Sequence, residues 1–444
     1  MRQRIGIIGA GCAGLGAAYY LDKKDHDIEI LEGTDRIGGI AGSHEWHGIH
    51  LDLAPHRLYT RDKDIERELL DLVPMNTLKR RSEIFLQGKW IQDPVNPMEI
   101  ITKFFPRKSF HLIWSYLFRD KKLPEDSFES FVLARYGTGL NNLFFKPYSE
   151  KLFGISGTDI SAGWARRKVR VSSFMDMVRR NTRLYFRQFY YPKQGGYGTI
   201  CDHLYKEVSD SVRFKTRVVG MQALDMGKEG YVLTTEQDGQ RVTTKYDRVV
   251  SSLPINELAR MLGLNINLSF RPAKIVYLLV NKSQVSPNHW FYFADSAHVI
   301  NRVAEFKNFT QNGSFGADHT VLCCEVTALE QFSIERVIKD LADVDLIKPD
   351  DVLDSKVTSL DYAYPLYCRG YEEELEKANT FFSNYTNLHR LGRHALFAHQ
   401  DVDEIFVDAK QLVHAMTTQA VYDMPMPERN FGVCVKDRAI STET

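Results

Sequence analysis

Ile5-Gly6-Ile7-Ile8-Gly9-Ala10-Gly11-Cys12-Ala13-Gly14 is the stretch that decides the fold. Its apolar start predicts a buried parallel strand, and its glycines predict a tight turn into a helix. A second apolar strand, Ile28 to Leu31, ends at Glu32, which lies 18 positions after Gly14. Strand, turn, helix and strand in this order predict one βαβ unit.

Each glycine of the turn has its own physical task. Gly9 allows the turn out of the strand, Gly11 lets backbone N–H groups approach a pyrophosphate, and Gly14 lets the helix pack on the strand. The helix N-terminus favours a phosphate, and the Glu32 carboxylate is placed to accept hydrogen bonds from a ribose. Because all these parts occur in order, the sequence predicts a dinucleotide site. An α/β unit without a ligand is the alternative.

The bulk composition sets broad limits on the protein. A chain of 444 residues exceeds the size of one hydrophobic core, so two or more domains are expected. Lysine plus arginine equal aspartate plus glutamate at 57 each, so no overall field favours nucleic acid. An anionic partner must therefore be met by a local cluster of cations.

The chain shows no sign of metal binding, secretion or a membrane span. The six cysteines form no CxxC pair and the 14 histidines form no HxxxH or HExxH pair, so we expect free thiols and no metal. We find no signal-peptide pattern and no run of about 18 uncharged apolar residues. These observations predict a cytoplasmic protein.

The residues that follow the second strand extend the dinucleotide interpretation. Residues 32–39 (EGTDRIGG) resemble the E-x-x-x-R-x-G-G continuation of the flavoprotein superfamily of amine oxidases, phytoene desaturases and protoporphyrinogen oxidases. The resemblance implies FAD as the cofactor. It also implies an α/β fold, in which a discontinuous Rossmann-like FAD-binding domain of the glutathione-reductase type carries an inserted helical and antiparallel-sheet substrate domain.

The resemblance also divides the chain. The FAD-binding domain is expected at 1–78, 195–262 and 385–425, and the substrate domain at 79–194 and 263–384, with a helical part at 100–190 and a tail at 426–444. A closing helix is predicted from Asp408 to Val421.

A set of residues is assigned to the cofactor on the same grounds. They are Gly9, Gly11, Cys12, Ala13, Gly14, Glu32, Gly33, Arg36, Gly38, Gly39, Pro55, His56, Val218, Gly392, Arg393 and Asp403. Val218 is expected to touch the adenine side through its backbone, and Asp403 to accept a ribityl hydroxyl. For Arg393 and Asp403 the alternative is a helix cap or a surface ion pair.

Further segments resemble one branch of the superfamily, the UDP-galactopyranose mutases and their oxidoreductase-like relatives. The segments are 53–57 (LAPHR), 145–154 (FKPYSEKLFG), 191–198 (YPKQGGYG), 301–309 (NRVAEFKNF), 363–365 (AYP) and 392–403. The mutases carry two tyrosines after the Gly-Arg pair that hold the substrate diphosphate, whereas these positions are Phe397 and His399 here. A UDP-sugar therefore loses at least one contact, while a small anionic substrate remains expected.

Four residues are predicted to face the substrate. They are His56, Arg302, Tyr364 and His399. The guanidinium fork of Arg302 suits a diphosphate or carboxylate, although a surface arginine on a strand is the alternative. His56 would lie over the flavin and orient substrate or move a proton, because histidine titrates near neutrality; a loop histidine bonded to backbone is the alternative.

These features lead to three functional hypotheses. We favour a FAD-dependent oxidoreductase in which flavin N5 takes a hydride from a C–H or C–N bond of a small substrate, because the cofactor then carries the chemistry. The second hypothesis is a non-redox sugar mutase that uses reduced flavin N5 as a nucleophile. The third is a flavin-binding escort protein without catalytic activity.

Residues 104–122 mix aromatic residues with cations. Such a composition is found in helices that lie on a membrane surface. Without a defined apolar face, we favour a helix packed into the core of the substrate domain over peripheral membrane contact.

Overall fold

The computed structural model describes residues 2–21, 23, 25–168, 188–310, 316 and 318–418. The expected tail at 426–444 lies outside these residues. Twelve α-helices lie within them: α1 (Cys12–Tyr20), α2 (Lys63–Leu72), α3 (Pro97–Lys103), α4 (Arg107–Leu117), α5 (Phe128–Leu140), α6 (Lys146–Phe153), α7 (Ala162–Lys168), α8 (Thr199–Val208), α9 (Ile255–Met261), α10 (Ile334–Ala342), α11 (Tyr371–Ser383) and α12 (Val402–Thr418).

Nineteen strands form five sheets in the same residues. The strands are β1 (Gln3–Ile8), β2 (His26–Leu31), β3 (Ser43–Trp46), β4 (Ile49–Asp52), β5 (Met75–Lys79), β6 (Ser82–Leu86), β7 (Lys89–Gln92), β8 (Gln188–Pro192), β9 (Val212–Arg213), β10 (Arg217–Ala223), β11 (Tyr231–Gln237), β12 (Gln240–Tyr246), β13 (Arg248–Ser251), β14 (Phe270–Val280), β15 (Trp290–Phe293), β16 (Ile300–Glu305), β17 (Thr320–Val326), β18 (Val352–Pro365) and β19 (Leu388–Arg390).

The N-terminal βαβ unit lies in the middle of a five-stranded parallel sheet. The strand order is β19-β13-β1-β2-β9, and Ile7 of β1 is in register with Val250 of β13 and Ile30 of β2. Ile7 and Ile30 are fully buried because the sheet is covered on both faces, which explains the continuous apolar runs of these strands. The sheet draws its strands from separate stretches of the chain, so the discontinuous Rossmann-like fold is confirmed.

The turn after β1 depends on a very close approach between backbone segments. Gly9 has a φ of +95°, which favours glycine. A Cβ on Gly14 would lie only 1.9 Å from the Gly9 carbonyl oxygen, whereas a Cβ on Gly16 would meet Ala409 Cβ at an ordinary 3.6 Å. Glycine is therefore required at Gly14, where it lets α1 pack against the end of β1.

A seven-stranded mixed sheet forms the second half of the molecule. Its strand order is β18-β14-β17-β16-β15-β6-β7. Because side chains alternate along a strand, the sheet has two different faces. Tyr277 and Ala304 pack toward the parallel sheet, whereas Val276 and Val303 are covered by Val337 of α10. The first of these faces becomes one wall of the functional site.

Two sequence predictions about elements need correction. Of the stretch predicted as helical, 100–190, residues 169–187 lie outside the described part of the chain. Its last residues belong to strand β8 instead of a helix, because Phe189 and Tyr191 are buried in the core and β8 pairs with β5. The closing helix α12 begins at Val402 rather than Asp408, with Asp403 and Glu404 in its first turn, where the helix dipole favours acids.

Helix lengths also bear on the membrane question. Within the described ranges, none of the helices is long and apolar enough to cross a bilayer. The cytoplasmic location expected from the sequence stays a prediction.

A buried carboxylate connects the two halves. Asp52 is fully buried, and its side chain accepts hydrogen bonds from Ser43 Oγ (2.7 Å), Tyr197 N (2.7 Å) and Tyr191 Oη (2.9 Å). The Asp52 carbonyl accepts a bond of 2.7 Å from Tyr277 Oη on β14. Burial raises the pKa of Asp52 to about 7, although the three donors oppose the rise.

We expect Gly14→Ala to disrupt the turn after β1. Its methyl group would collide with the Gly9 carbonyl, so the free energy of unfolding should fall by about 1–3 kcal/mol. Gly16→Ala is the matched control and should stay within about 1 kcal/mol of wild type, because its Cβ meets Ala409 only at an ordinary van der Waals distance. Urea denaturation measures both, and equal effects of the two variants would contradict the close approach.

Asp52 should also give stability a measurable pH dependence. Because its folded-state pKa lies above its ordinary value, the folded protein alone holds this proton between about pH 4 and 7, and stability falls as pH rises through that window. Asp52→Asn removes the titration. The free energy of unfolding of the variant, relative to wild type, should therefore rise with pH by up to roughly 4 kcal/mol. Denaturation of both proteins at several pH values tests this. If the difference between their free energies of unfolding does not change with pH, Asp52 keeps its ordinary pKa in the folded protein.

Candidate active site

A cavity of about 620 Å³ lies where the carboxyl ends of the parallel strands face the seven-stranded sheet. Four of its lining residues directly follow parallel strands, namely Gly9, Glu32, Ser252 and Leu391. Ligands of open α/β sheets bind at this edge, and the volume is within the range of about 300–1,000 Å³ for small-molecule sites.

Most of the residues predicted for the cofactor lie together on this cavity. The lining includes Gly9, Gly11, Cys12, Ala13, Glu32, Gly38, Gly39, Pro55, His56, Gly392 and Arg393. Five predicted residues do not line it: Gly14, Gly33, Arg36, Val218 and Asp403. Gly14 does not contact the cavity itself, but its lack of a side chain lets α1 pack against β1.

Two of the residues outside the lining have other surroundings. Arg36 is exposed and its nearest carboxylate is that of Asp35, at 3.7 Å. Asp403 is buried, and burial raises its pKa to about 6 while a hydrogen bond from Thr60 opposes the rise. The neighbouring Val402 lines the cavity instead. A contact between Asp403 and a ribityl hydroxyl therefore stays a prediction.

The start of α1 has the features of a pyrophosphate site. Gly11 is the N-cap and provides no capping side chain, so the first-turn N–H groups lack a side-chain acceptor. Cys12 and Ala13 of this turn line the cavity. A Cβ on Gly39 would lie 3.3 Å from Gly11 Cα, so the two glycine backbones pass close to each other. Free donors and the helix dipole at this point suit an anionic diphosphate.

Glu32 lies on the cavity at the end of β2. Its carboxylate accepts hydrogen bonds of 2.8 Å from Ala10 N and from Thr34 N. These bonds fix the carboxylate at the strand end, and an ionised carboxylate has further lone pairs that can accept ribose hydroxyls.

The cavity also exposes unpaired polar atoms to a ligand. His56 Nδ1, Trp290 Nε1, His394 Nε2 and Gln400 Oε1 are buried and find no hydrogen-bond partner among the described residues, and all four residues line the cavity. Buried polar atoms are normally paired, so these atoms indicate a ligand with several donors and acceptors. Together with the free helix N-terminus, they fit FAD.

All four residues predicted for the substrate line the same cavity: His56, Arg302, Tyr364 and His399. Arg302 donates to Glu325 Oε2 at 2.7 Å from the neighbouring strand, and Tyr364 donates to the other oxygen of the same carboxylate. Burial would lower the pKa of Arg302, but Glu325 and Tyr364 raise it well above its ordinary value. Arg302 is therefore a charged residue that already has a buried partner.

His56 lies in a positive electrostatic environment. Burial, followed by Arg393 and Arg302, lowers its pKa to about 3, so the imidazole is neutral at physiological pH. Its ring stacks on Tyr197, with centroids 5.2 Å apart. Arg393 itself is held by two bonds to the Gln400 carbonyl, at 2.7 and 3.1 Å.

Arg57 is a cavity residue that the sequence analysis did not select. Arg57 is exposed and lines the cavity. Its guanidinium carbon lies 5.2 Å from the centroid of the Trp290 ring, and the guanidinium carbon of Arg80 lies 5.3 Å from the same centroid. Arg80 forms an ion pair with Asp93, whereas Arg57 has no carboxylate within ion-pair distance in the part of the chain that the structure describes.

The two positions compared with the mutase tyrosines are placed very differently. Phe397 is fully buried in the core and does not line the cavity. His399 lines the cavity and stacks almost parallel to Tyr364, with ring centroids 6.2 Å apart. Neither position supplies a phenolic hydroxyl.

Glu325, Trp290 and Tyr292 also line the cavity, although no motif in the sequence singles them out. Tyr292, Arg302 and Glu325 lie side by side on three neighbouring strands, which places their side chains on one face of the sheet. These polar residues stand at alternating positions of otherwise apolar strands, which indicates a polar face on each strand. Only the strand register shows that the three residues are neighbours.

Comparisons with known proteins bear on the family, the fold and the cofactor. An L-amino acid oxidase from Cerastes cerastes is 24% identical over 282 residues, which cover 56% of this chain and 48% of that protein. The chain thus spans about half the length of the curated relatives it matches. Structurally, a reduced UDP-galactopyranose mutase aligns with a TM-score of 0.80 at 21% identity, over 94% of this chain and 96% of that one.

A putrescine oxidase bound to putrescine aligns with a TM-score of 0.63 at 16% identity, over 94% of this chain and 99% of that one. The family model described as flavin containing amine oxidoreductase matches residues 12–291. The expected superfamily, fold and cofactor are therefore confirmed. Because the match covers more than half of the chain, this protein belongs to the family of flavin-containing amine oxidoreductases, which depend on FAD.

Proposed function

We propose that this protein is an oxidoreductase that removes a hydride from a C–H or C–N bond of a small anionic substrate. FAD, when bound, supplies the hydride acceptor. The observation that carries the proposal is the Arg57 guanidinium, which lines the cavity 5.2 Å from the Trp290 ring and has no carboxylate within ion-pair distance among the described residues. An anionic group of the substrate would be stabilised in this part of the cavity.

The cofactor contacts form the first part of the proposal. Gly11 and the first turn of α1 would hold the pyrophosphate, because their N–H groups face the cavity without a capping side chain. Glu32 would accept the ribose hydroxyls at the end of β2. Gly39 and Gly392, which leave the cavity wall without side chains, would let the dinucleotide pass close to the backbone.

Arg57 is the residue we assign to the anionic group of the substrate. Arg302 is neutralised by Glu325, and Arg393 is engaged by the Gln400 carbonyl. Arg57 has no such partner in the described residues, and the Trp290 ring holds its guanidinium on the cavity wall. A planar guanidinium in this position suits a carboxylate or phosphate.

His56 and the Glu325 cluster would orient the substrate. Because the pKa of His56 is lowered to about 3, its ring is neutral at physiological pH, and its two nitrogens offer one hydrogen-bond donor and one acceptor. Arg302 and Tyr364 fix Glu325 from both sides, so this acid is a rigid acceptor at the cavity wall. His399 would extend the wall by stacking on Tyr364.

A sugar mutase remains the second candidate. It is favoured by the three arginines that line the cavity, Arg57, Arg302 and Arg393, which suit a diphosphate. Against it stand the buried position of Phe397 and the pairing of Arg302 with Glu325. The two candidates differ in whether the flavin is reduced by the substrate.

Anaerobic mixing tests the choice between them. The FAD-loaded protein should lose its oxidised-flavin absorbance with a panel of L-amino acids, which carry a carboxylate, and keep it with the dication putrescine. Reduction by putrescine alone would overturn the anionic substrate class. Isomerisation of UDP-galactopyranose by the reduced protein, with no net change of its flavin spectrum, would establish the mutase.

We expect Arg57→Gln to weaken substrate binding selectively. Loss of one charged hydrogen bond should raise the half-saturating concentration of the anionic substrate roughly tenfold to a hundredfold, with little change in the limiting rate of flavin reduction. Arg57→Lys should recover part of the affinity. Arg81→Gln, which removes a nearby exposed guanidinium outside the cavity, is the control, and an equal effect of both glutamine variants would refute the assignment.

A further inference from the structure

Helix α4 has its apolar side turned outward. Ten large hydrophobic side chains are exposed in the described part of the chain, and seven of them lie between residues 98 and 118. Five belong to one side of α4 and its C-cap, at helical spacing: Phe110, Ile113, Trp114, Leu117 and Phe118. Their exposed fractions run from 44% for Ile113 to 67% for Phe110 and Phe118. Together with Met98 and Phe105 we call them the aromatic face.

The opposite side of α4 packs on α5. Ser109 and Ser115 are buried there and Leu112 is half-buried, and Ser115 Oγ accepts a hydrogen bond of 3.0 Å from Gly139 N of α5. A Cβ on Gly137 would lie 2.3 Å from the Ser115 carbonyl oxygen, so the two backbones approach too closely at this point for a side chain on Gly137. A helix of a globular domain normally buries its apolar side, so α4 is inverted.

The rings of the aromatic face contact one another. Trp114 lies between Phe110 and Phe118, with ring centroids at 5.9 Å and 4.2 Å. The three rings therefore form one continuous apolar patch on the helix. Exposed apolar patches of this kind mark interaction sites.

Exposed cations flank the aromatic face along the chain. Residues 103–122 contain six lysines and arginines against one acid, although the whole chain is balanced at 57 to 57. Arg107, Lys108, Lys121 and Lys122 are exposed and make no ion pair among the described residues. Apolar aromatics bordered by exposed cations are the pattern of helices that lie in the interface of a membrane with anionic lipids.

We propose that the aromatic face docks the protein on a bilayer that contains anionic phospholipids. The aromatic rings enter the interface, and the four cations contact the lipid headgroups. A second copy of the chain fits less well, because a two-fold interface places the same patch on both sides and would oppose these cations to each other. From the sequence we favoured a helix that is packed into the core. This holds only for the side of α4 that carries Ser109 and Ser115.

Vesicle binding by the full-length, FAD-loaded protein tests the proposal. Wild type should sediment with vesicles of phosphatidylcholine plus phosphatidylglycerol, and only weakly with phosphatidylcholine alone or at high salt. The variant F110S/W114S/F118S should bind at least tenfold more weakly. The control V242S/L353S removes exposed apolar side chains elsewhere and should bind like wild type.

A charge variant gives an independent readout that leaves the aromatic face intact. K121E/K122E should lose the preference for phosphatidylglycerol, whereas K193E/K245E, with equal charge change at distant exposed sites, should keep most of it. If F110S/W114S/F118S and K121E/K122E both bind phosphatidylglycerol vesicles as tightly as wild type does, the proposal is wrong. The proposal would also be wrong if wild type is a dimer that does not bind vesicles and F110S/W114S/F118S is a monomer. In that case a second copy of the chain covers the aromatic face.

Discussion

The contact between Gly14 and the Gly9 carbonyl is the constraint on which the rest of the structure depends. It holds α1 against the end of β1, and the uncapped first turn of that helix therefore faces the cavity. The carboxyl ends of the other parallel strands open onto the same space. The backbones at Gly9 and Gly14 are so close that a methyl group on Gly14 has no room. This contact places the helix N-terminus that would bind the anionic part of the cofactor.

Asp52 connects this cofactor site to the substrate wall. Its three side-chain hydrogen bonds order the loops near the cavity, and its carbonyl holds Tyr277 of the seven-stranded sheet. That sheet presents Arg302, Glu325 and Tyr292 to the cavity, while Trp290 positions Arg57. The chemistry therefore rests on two rigid sheets, joined by a buried carboxylate whose burial makes it hard to ionise.

The sequence predicted the local features well, because the glycine turn and the acid after β2 need only neighbouring residues. It also placed His56, Arg302, Tyr364 and His399 on one cavity through resemblance to a family. It did not predict that Glu325 neutralises Arg302, since that pair depends on strand register. The cation–π contact of Arg57 was missed for the same reason, as it joins residues from distant segments. The aromatic face needed the structure, because composition does not show which side of a helix is buried.

The most direct test of the account is a crystal structure of the protein with FAD. We predict that the pyrophosphate lies at the first turn of α1, that Glu32 contacts the ribose, and that the space between His56 and Arg57 stays open for an anionic substrate. A dinucleotide bound away from α1, or one that fills the space at Arg57, would contradict the account.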